Sequence, residues 1–305
     1  MENDIEKWYY PNGRLKKEVP SVNTPIDGIA KAYYEDGTLK EETPYVNGQI
    51  HGIEKWYYPD GKVKWEAPYI NGKIHGIEKL YGDDGRLKLE TSYLNNEMYR
   101  IEKWYYPDGR LKWEASYIDG KIHGIEKWYE KDGRLKSETS YLYGQRHGIE
   151  KLYYKNEILK LETLYLYGQR HGIEKYFYKC GILQRETPYT KDMRHGIYKE
   201  YYNDGTLKKE TSYLNSRRHG VKLYGEDGRL KWETPYVNGQ IHGIAKEYYK
   251  DGTLGIETPY VNGQEHGIEK YFYKCGILQR ETPYTKDMRH GIYKEYYNDG
   301  TSLGS

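Results

Sequence analysis

The chain has 305 residues, of which 39 are Tyr and only 2 are Phe, and 31% of its residues are charged. So few large aliphatic and Phe residues exclude a compact core of ordinary size, and the many aromatic residues exclude a disordered chain. The 48 basic and 46 acidic side chains interleave along the sequence, so no basic patch for nucleic acid stands out.

A 24-residue repeat, marked by the dipeptide His-Gly, runs along the chain. The ten histidines are spaced by 24 residues or a multiple of 24, except that His219 and His242 lie 23 apart. The twelve predicted repeats begin at Asp4, Gly28, Gly52, Gly76, Arg100, Gly124, Gly148, Gly172, Gly196, Gly220, Gly243 and Gly267, and a truncated repeat begins at Gly291. We predict one repeat domain over residues 1–301 and a pattern-breaking tail at 302–305.

Each repeat contains the same predicted elements, shown by residues 100–123, RIEKWYYPDGRLKWEASYIDGKIH. Aromatic-rich runs over 101–106 and 110–117 flank a PDG turn, and this order predicts two β-strands joined in a hairpin. No helical period or helix-capping pattern occurs, so the chain is predicted to be all-β.

The turn chemistry predicts how the two strands pair. A type I turn closed by a left-handed glycine would pair Tyr106 with Arg110 and Tyr105 with Leu111. A loop of the same kind at IDG would place Tyr117 opposite Lys121. One face would then carry Ile101, Lys103, Tyr105, Leu111, Trp113, Ala115, Tyr117 and His123, and the other Glu102, Trp104, Tyr106, Arg110, Lys112 and Glu114.

The predicted architecture is an elongated antiparallel β-hairpin array of about twelve repeats in one layer. Because strands twist, we expect the sheet to be twisted or coiled. The repeat at Gly220 lacks one residue in its first strand, which is expected to perturb the twist locally.

Two stretches carry a resemblance to a known family: YYEDGTLKEETPYVNGQIHGIEKWYY at 33–58 and YYKDGTLGIETPYVNGQEHGIEKYFY at 248–273. They resemble the MORN repeat family, in the bacterial variant found in YwqK-like antitoxin proteins. The resemblance covers about residues 4–301. It implies elongated hairpin arrays that act as scaffolds or binding surfaces, and for the bacterial variant it implies neutralisation of a toxin. Some relatives in the broader family are linked to phospholipid surfaces.

Equivalent histidines of adjacent repeats would lie about 10 Å apart, too far to share one metal ion with bonds of about 2 Å. We therefore predict no metal and no cofactor, and a structural role in which His packs on tyrosines and Gly opens the next strand. The structural positions are His51, Gly52, His75, Gly76, His123, Gly124, His147, Gly148, His171, Gly172, His195 and Gly196.

A glutamate ladder fills one position in every complete repeat: Glu18, Glu42, Glu66, Glu90, Glu114, Glu138, Glu162, Glu186, Glu210, Glu233, Glu257 and Glu281. A uniform ladder is typical of cross-strand charge pairing with the recurring lysines, such as Lys55, Lys79, Lys103 and Lys127. Catalysis would need one distinctive constellation, so we predict no catalytic residue and no enzyme.

Aromatic side chains on an exposed face are typical anchors for protein partners. The candidate partner-binding residues are Trp8, Trp56, Trp104, Trp128, Tyr58 and Tyr106. The four tryptophans among them are expected on the charged face, and Trp65, Trp113 and Trp232 on the apolar face.

The sequence favours a non-enzymatic protein-binding or scaffolding repeat protein. The alternatives are an antitoxin that neutralises a partner toxin and a membrane-surface scaffold. Self-association through the apolar face or an open strand edge is also expected. Nucleic acid is not expected as a partner, and a membrane is less favoured than a protein. The first residues, MENDIEKWYYPNG, contain no signal-peptide apolar run, so a cytoplasmic location is predicted.

Overall fold

The computed structural model describes residues 5–20, 25–94 and 99–303, and within them the chain forms 33 β-strands and no helix. This part of the chain therefore contains no helix that could span a membrane. Asp4, where the first predicted repeat begins, and residues 304–305 of the predicted tail lie outside the described residues.

The chain divides into an N-terminal unit, Met1–Gly148, and a C-terminal unit, Ile149–Ser305. The strands of the N-terminal unit are β1 Ile5–Tyr9, β2 Leu15–Pro20, β3 Gly28–Tyr33, β4 Leu39–Val46, β5 Gln49–Ile50, β6 Gly52–Tyr57, β7 Val63–Ile70, β8 Lys73–Ile74, β9 Gly76–Tyr81, β10 Leu87–Leu94, β11 Tyr99–Tyr105, β12 Leu111–Ile118, β13 Lys121–Ile122, β14 Gly124–Tyr129 and β15 Leu135–Leu142. Strand β16 comprises Gln145–Tyr153.

The strands of the C-terminal unit are β17 Leu159–Leu166, β18 Gln169–Arg170, β19 Gly172–Phe177, β20 Leu183–Thr190, β21 Met193–Arg194, β22 Gly196–Tyr201, β23 Leu207–Leu214, β24 Arg217–Tyr224, β25 Leu230–Val237, β26 Gln240–Ile241, β27 Gly243–Tyr248, β28 Leu254–Val261, β29 Gln264–Glu265, β30 Gly267–Phe272, β31 Leu278–Thr285, β32 Met288–Arg289 and β33 Lys294–Glu295. Within each unit, consecutive long strands pair antiparallel. The predicted all-β class and hairpin repeat are therefore confirmed. The single domain over 1–301 stays a prediction.

The first hairpin turn of each repeat is the predicted one. In β11–β12, the Gly109 N–H donates to the Tyr106 carbonyl at 2.9 Å, and the Tyr106 N–H donates to the Arg110 carbonyl at 2.8 Å. Gly109 has φ +85°, and Tyr105 pairs with Leu111. Only a left-handed residue closes this loop, which explains the recurrent turn glycine.

A β-bulge follows the turn and corrects the predicted faces. After Tyr105 pairs with Leu111, the next pair is Trp104 with Trp113, so Lys112 has no residue opposite it. One extra residue moves every later side chain of β12 to the other face. The predicted set that placed Ile101 and Lys103 with Trp113, Ala115 and Tyr117 was therefore wrong.

The second turn of the repeat, between β12 and β13, is tighter than predicted. Ile118 pairs with Lys121, and Asp119 and Gly120 both have positive φ, +49° and +73°. This is a two-residue type I′ turn, whose twist matches the flanking strands. Tyr117 consequently lies opposite Ile122, and the prediction that it lies opposite Lys121 was wrong.

Two faces follow from this register. We call one the tryptophan face, defined by Glu102, Trp104, Trp113, Ala115 and Tyr117 and their equivalents in other repeats. We call the other the isoleucine face, defined by Ile101, Lys103, Glu114, Ser116 and Ile118 and their equivalents. The buried side chains of the described residues lie in rows on the tryptophan face, with Ala67 0% and Ala115 1% exposed.

Candidate functional site

All seven tryptophans lie on the tryptophan face. Trp56 pairs directly with Trp65, with ring centroids 5.1 Å apart, and the rings of Trp113 and Trp128 are 6.0 Å apart. The prediction that divided the tryptophans between two faces was wrong, because the bulge reverses the orientation of the second strand. The candidates Trp8, Trp56, Trp104 and Trp128 are 40–45% exposed, whereas Trp113 is 8% exposed.

A second row of glutamates lies behind the indoles, and the sequence reasoning missed it. The Trp113 Nε1–H donates to Glu126 Oε1 at 2.8 Å, and the Trp65 Nε1–H donates to Glu78 Oε1 at 2.6 Å. Glu54 is 8% exposed and accepts a 3.2 Å hydrogen bond from Trp56. The signal in the sequence is the Glu that follows His-Gly-Ile, which only the bulged register places beside the tryptophans.

Tyrosines add further donors to this row. The Tyr93 hydroxyl donates to Glu78 Oε2 at 2.7 Å. Burial, followed by the charge of Glu54, raises the pKa of Tyr69 to about 12. Burial and the charge of Glu102 likewise raise the pKa of Tyr117 to about 12. The carboxylates are thus held by neutral donors, and the phenols stay protonated beside them.

The face also accommodates guanidinium groups. Arg100 lies over the Tyr117 ring at 4.6 Å and pairs with Glu102 at 3.2 Å. In the C-terminal unit, Arg185 lies 3.9 Å from the centroid of the Tyr176 ring. Aromatic rings backed by carboxylates therefore form sites for planar cations.

The predicted glutamate ladder lies on the isoleucine face and pairs with lysines across the strands, as predicted. Glu66 is 3.7 Å from Lys79, and Glu114 is 3.7 Å from Lys127. Other pairs of the described ladder are Lys31–Glu42, Lys199–Glu210, Lys222–Glu233 and Lys246–Glu257. Such partly exposed pairs contribute a few tenths of a kcal/mol each.

The candidates Tyr58 and Tyr106 have a structural contact in the next repeat. The Tyr58 hydroxyl donates to the Tyr81 carbonyl at 2.9 Å, and the Tyr106 hydroxyl donates to the Tyr129 carbonyl at 2.8 Å. The ammonium of Lys112 also lies 5.8 Å from the Tyr106 ring centroid. These two tyrosines join neighbouring repeats, and their role in partner binding stays a prediction.

The histidines contact the next turn. His51 Nδ1 is 3.4 Å from Asn71 Oδ1, His195 Nδ1 is 3.3 Å from Asn215 Oδ1, and the His123 ring meets the edge of Tyr143 at 4.8 Å. Their main contact is therefore a turn rather than a face of tyrosines. Among the described residues, no three His, Cys, Asp or Glu side chains form a group that could hold a metal ion.

In several repeats, the glycine after histidine lets a proline side chain approach the backbone closely. Gly52 has φ +114°, and a Cβ at this position would lie 3.1 Å from Pro44 Cγ. The equivalent glycines Gly76 and Gly196 face Pro68 and Pro188 in the same way. The side chain that lies closest to each of these glycines is therefore a proline and not an aromatic residue.

The MORN repeat variant matches residues 5–23, 26–47, 50–71, 122–143, 146–167, 170–191, 194–215, 241–262 and 289–303. The chain belongs to the MORN repeat variant family. This membership supports a repeat scaffold or binding protein. No curated protein matches the chain, and the antitoxin subtype stays a prediction.

The chain also resembles parts of two solved structures. TcdB2-TccC3 is 12% identical, with a TM-score of 0.20 over 98% of this chain and 18% of that chain. The Photorhabdus luminescens Tc holotoxin pore is 12% identical, with a TM-score of 0.18 over 99% of this chain and 23% of that chain. The MORN chain spans about a fifth of the length of these chains.

Proposed function

We propose that this MORN repeat chain is a non-catalytic scaffold that binds a protein partner through the tryptophan face of its N-terminal unit. The observation that carries the proposal is the row of half-exposed indoles, Trp8, Trp56, Trp104 and Trp128, on one face. Trp is enriched at the energetic centres of protein interfaces, because it buries a large area at a small cost in side-chain entropy.

The chemistry of the face favours a partner that presents arginine. Glu54, Glu78 and Glu126 lie behind the indoles and accept hydrogen bonds from Trp or Tyr groups. A guanidinium placed over an exposed indole would meet both a ring face and a nearby carboxylate. The stacking of Arg100 on Tyr117 beside Glu102 is an intramolecular example of this contact.

The test is a selection of binding peptides from a random library on the full chain, followed by titration of the selected peptides. We expect the selected peptides to be enriched in Arg. The double variant Trp56→Ala, Trp104→Ala should weaken their binding at least ~10-fold, as interface hot spots do.

The matched control is Ile53→Ala, Ile125→Ala, which removes two half-exposed side chains from the opposite face of the same unit. This control should bind the selected peptides as the original chain does. Peptides without Arg enrichment, or equal binding by the tryptophan double variant, would contradict the proposal.

A further inference from the structure

The isoleucine face carries an exposed apolar stripe. In most repeats, the Ile that follows His-Gly pairs across the strands with Pro or Ser, as Ile244 does with Pro259 and Ile197 does with Ser212. Ile197 is 52% exposed and Ile244 is 48% exposed. The Lys–Glu ladder runs beside this stripe on the same face. Exposed apolar side chains that lie in a row bordered by charges are typical of an interaction surface.

The stripe has a gap at the 23-residue repeat. Strand β24 pairs Gly220 with Ser212 on one side and with Pro235 on the other, so Gly220 occupies the place of an isoleucine. An open depression of about 470 Å³ results, lined by Ile197, Ser212, Val221, Pro235 and Ile244 and bordered by the charged ladder. The lack of one residue in this repeat leaves the Lys–Glu ladder intact, since Lys222 still pairs with Glu233.

We propose that this depression is the centre of a two-fold contact between two molecules of this chain. Consider a two-fold axis parallel to the strands, between β24 and β25, that places two isoleucine faces against each other. Such an axis keeps each row of side chains in register and reverses the order of the strands. Pro235 of each molecule then fills the gap at Gly220 of the other, and Ile244 meets the small Ser212.

The charges match under the same axis. Lys222 of one molecule faces Glu233 of the other, and Glu210 faces Lys246. Lys and Glu alternate from strand to strand, so an axis between two paired strands brings opposite charges together in every position of the ladder. A self-complementary patch of this kind is the requirement for an isologous dimer.

The size of the contact patch indicates how strong the dimer is expected to be. Six strands spaced about 4.8 Å and five residues spaced about 3.4 Å give a footprint on the order of 500 Å² per molecule. Stable interfaces bury about 800 Å² per partner, so the dimer is expected to be weak and to form only at high protein concentration.

Sedimentation velocity on the purified chain over a concentration series tests the proposal. The original chain should shift from monomer to dimer as its concentration rises. Gly220→Ile should remain monomeric, because its side chain fills the gap, and Gly220→Ala should retain most of the dimer. Gly220 does not have a left-handed φ, and a Cβ there would lie 3.9 Å from its nearest neighbour. The Ile variant should therefore fold, which its melting temperature would verify.

Two further variants form a matched pair. Ile244→Ser should weaken the dimer, whereas Ile53→Ser should not. Both isoleucines are half-exposed and pair with a Pro, Pro259 and Pro68 respectively. A chain that stays monomeric at every concentration, or a Gly220→Ile variant that dimerises like the original, would overturn the proposal. Peptide binding by the tryptophan face should be unaffected in Gly220→Ile, so this variant tests the dimer separately from the proposed function.

Discussion

Tyrosine hydroxyl groups join each repeat to the next in two ways. One set donates to backbone carbonyls of the following repeat, as Tyr34 does to Tyr57 at 2.7 Å. The other set donates to ladder carboxylates, as Tyr57 does to Glu42 at 2.7 Å. Phe could make neither bond, which explains why Tyr outnumbers Phe so heavily. The composition alone indicated aromatic packing, but the hydroxyl partners depend on neighbouring repeats and could not be read from one repeat.

The tyrosine–glutamate bonds predict loss of stability in alkali. Burial, followed by the hydrogen bond to Glu42, raises the pKa of Tyr57 to about 12. Burial and the hydrogen bonds to Glu66 and Glu114 likewise raise the pKa values of Tyr81 and Tyr129 to about 12. These pKa values of the folded chain exceed the ordinary value of about 10. The tyrosine–glutamate bonds therefore contribute fully to the free energy of unfolding below about pH 10, and this contribution is lost between about pH 10 and 12.

We therefore expect the β-sheet circular dichroism to collapse within that window, together with the appearance of tyrosinate absorbance. Tyr57→Phe should reduce this pH dependence, whereas Tyr9→Phe, which replaces an exposed ring, should not. A sheet that remains intact while its tyrosines ionise would contradict the stabilising role of the tyrosine–glutamate hydrogen bonds.

At the scale of strands and turns, the sequence predicted what local chemistry determines. The Tyr106–Gly109 turn was predicted correctly, because Pro, Asp and a left-handed Gly define it without help from the rest of the chain. The bulge at Lys112 was missed, because an unpaired residue in a strand has no sequence signature and depends on how two strands meet. The faces therefore came out wrong in the second strand and right in the first.

The His-Gly step makes a second prediction at this scale. Gly52→Ala should destabilise the chain by about 2 kcal/mol, because Ala at φ +114° is strained and its Cβ would approach Pro44. Gly220→Ala is the matched control, since Gly220 does not have a left-handed φ and has room for a methyl group. The midpoints of denaturant unfolding measure the stability of both variants. Equal midpoints would mean that the His-Gly step tolerates a side chain.

At the scale of the whole molecule, the repeat separates two kinds of surface. The tryptophan face contains the buried rows and, in the N-terminal unit, four exposed indoles; a fifth, Trp232, lies in the C-terminal unit. The isoleucine face carries the charged ladder and, in the C-terminal unit, the gap at Gly220. MORN family membership explains the repeated architecture but names no partner. Partner choice therefore depends on the positions where individual repeats differ.

Both proposals depend on the bulged register, and cross-strand disulfide formation tests that register most directly. In a chain with Cys180→Ser and Cys275→Ser, the pair Trp104→Cys, Trp113→Cys should form a disulfide on mild oxidation, because these residues lie directly opposite each other. The pair Trp104→Cys, Lys112→Cys should form less of it, since Lys112 is skipped at the bulge and is not the residue opposite Trp104. Crosslinking of the second pair and not the first would contradict the register and both proposed surfaces.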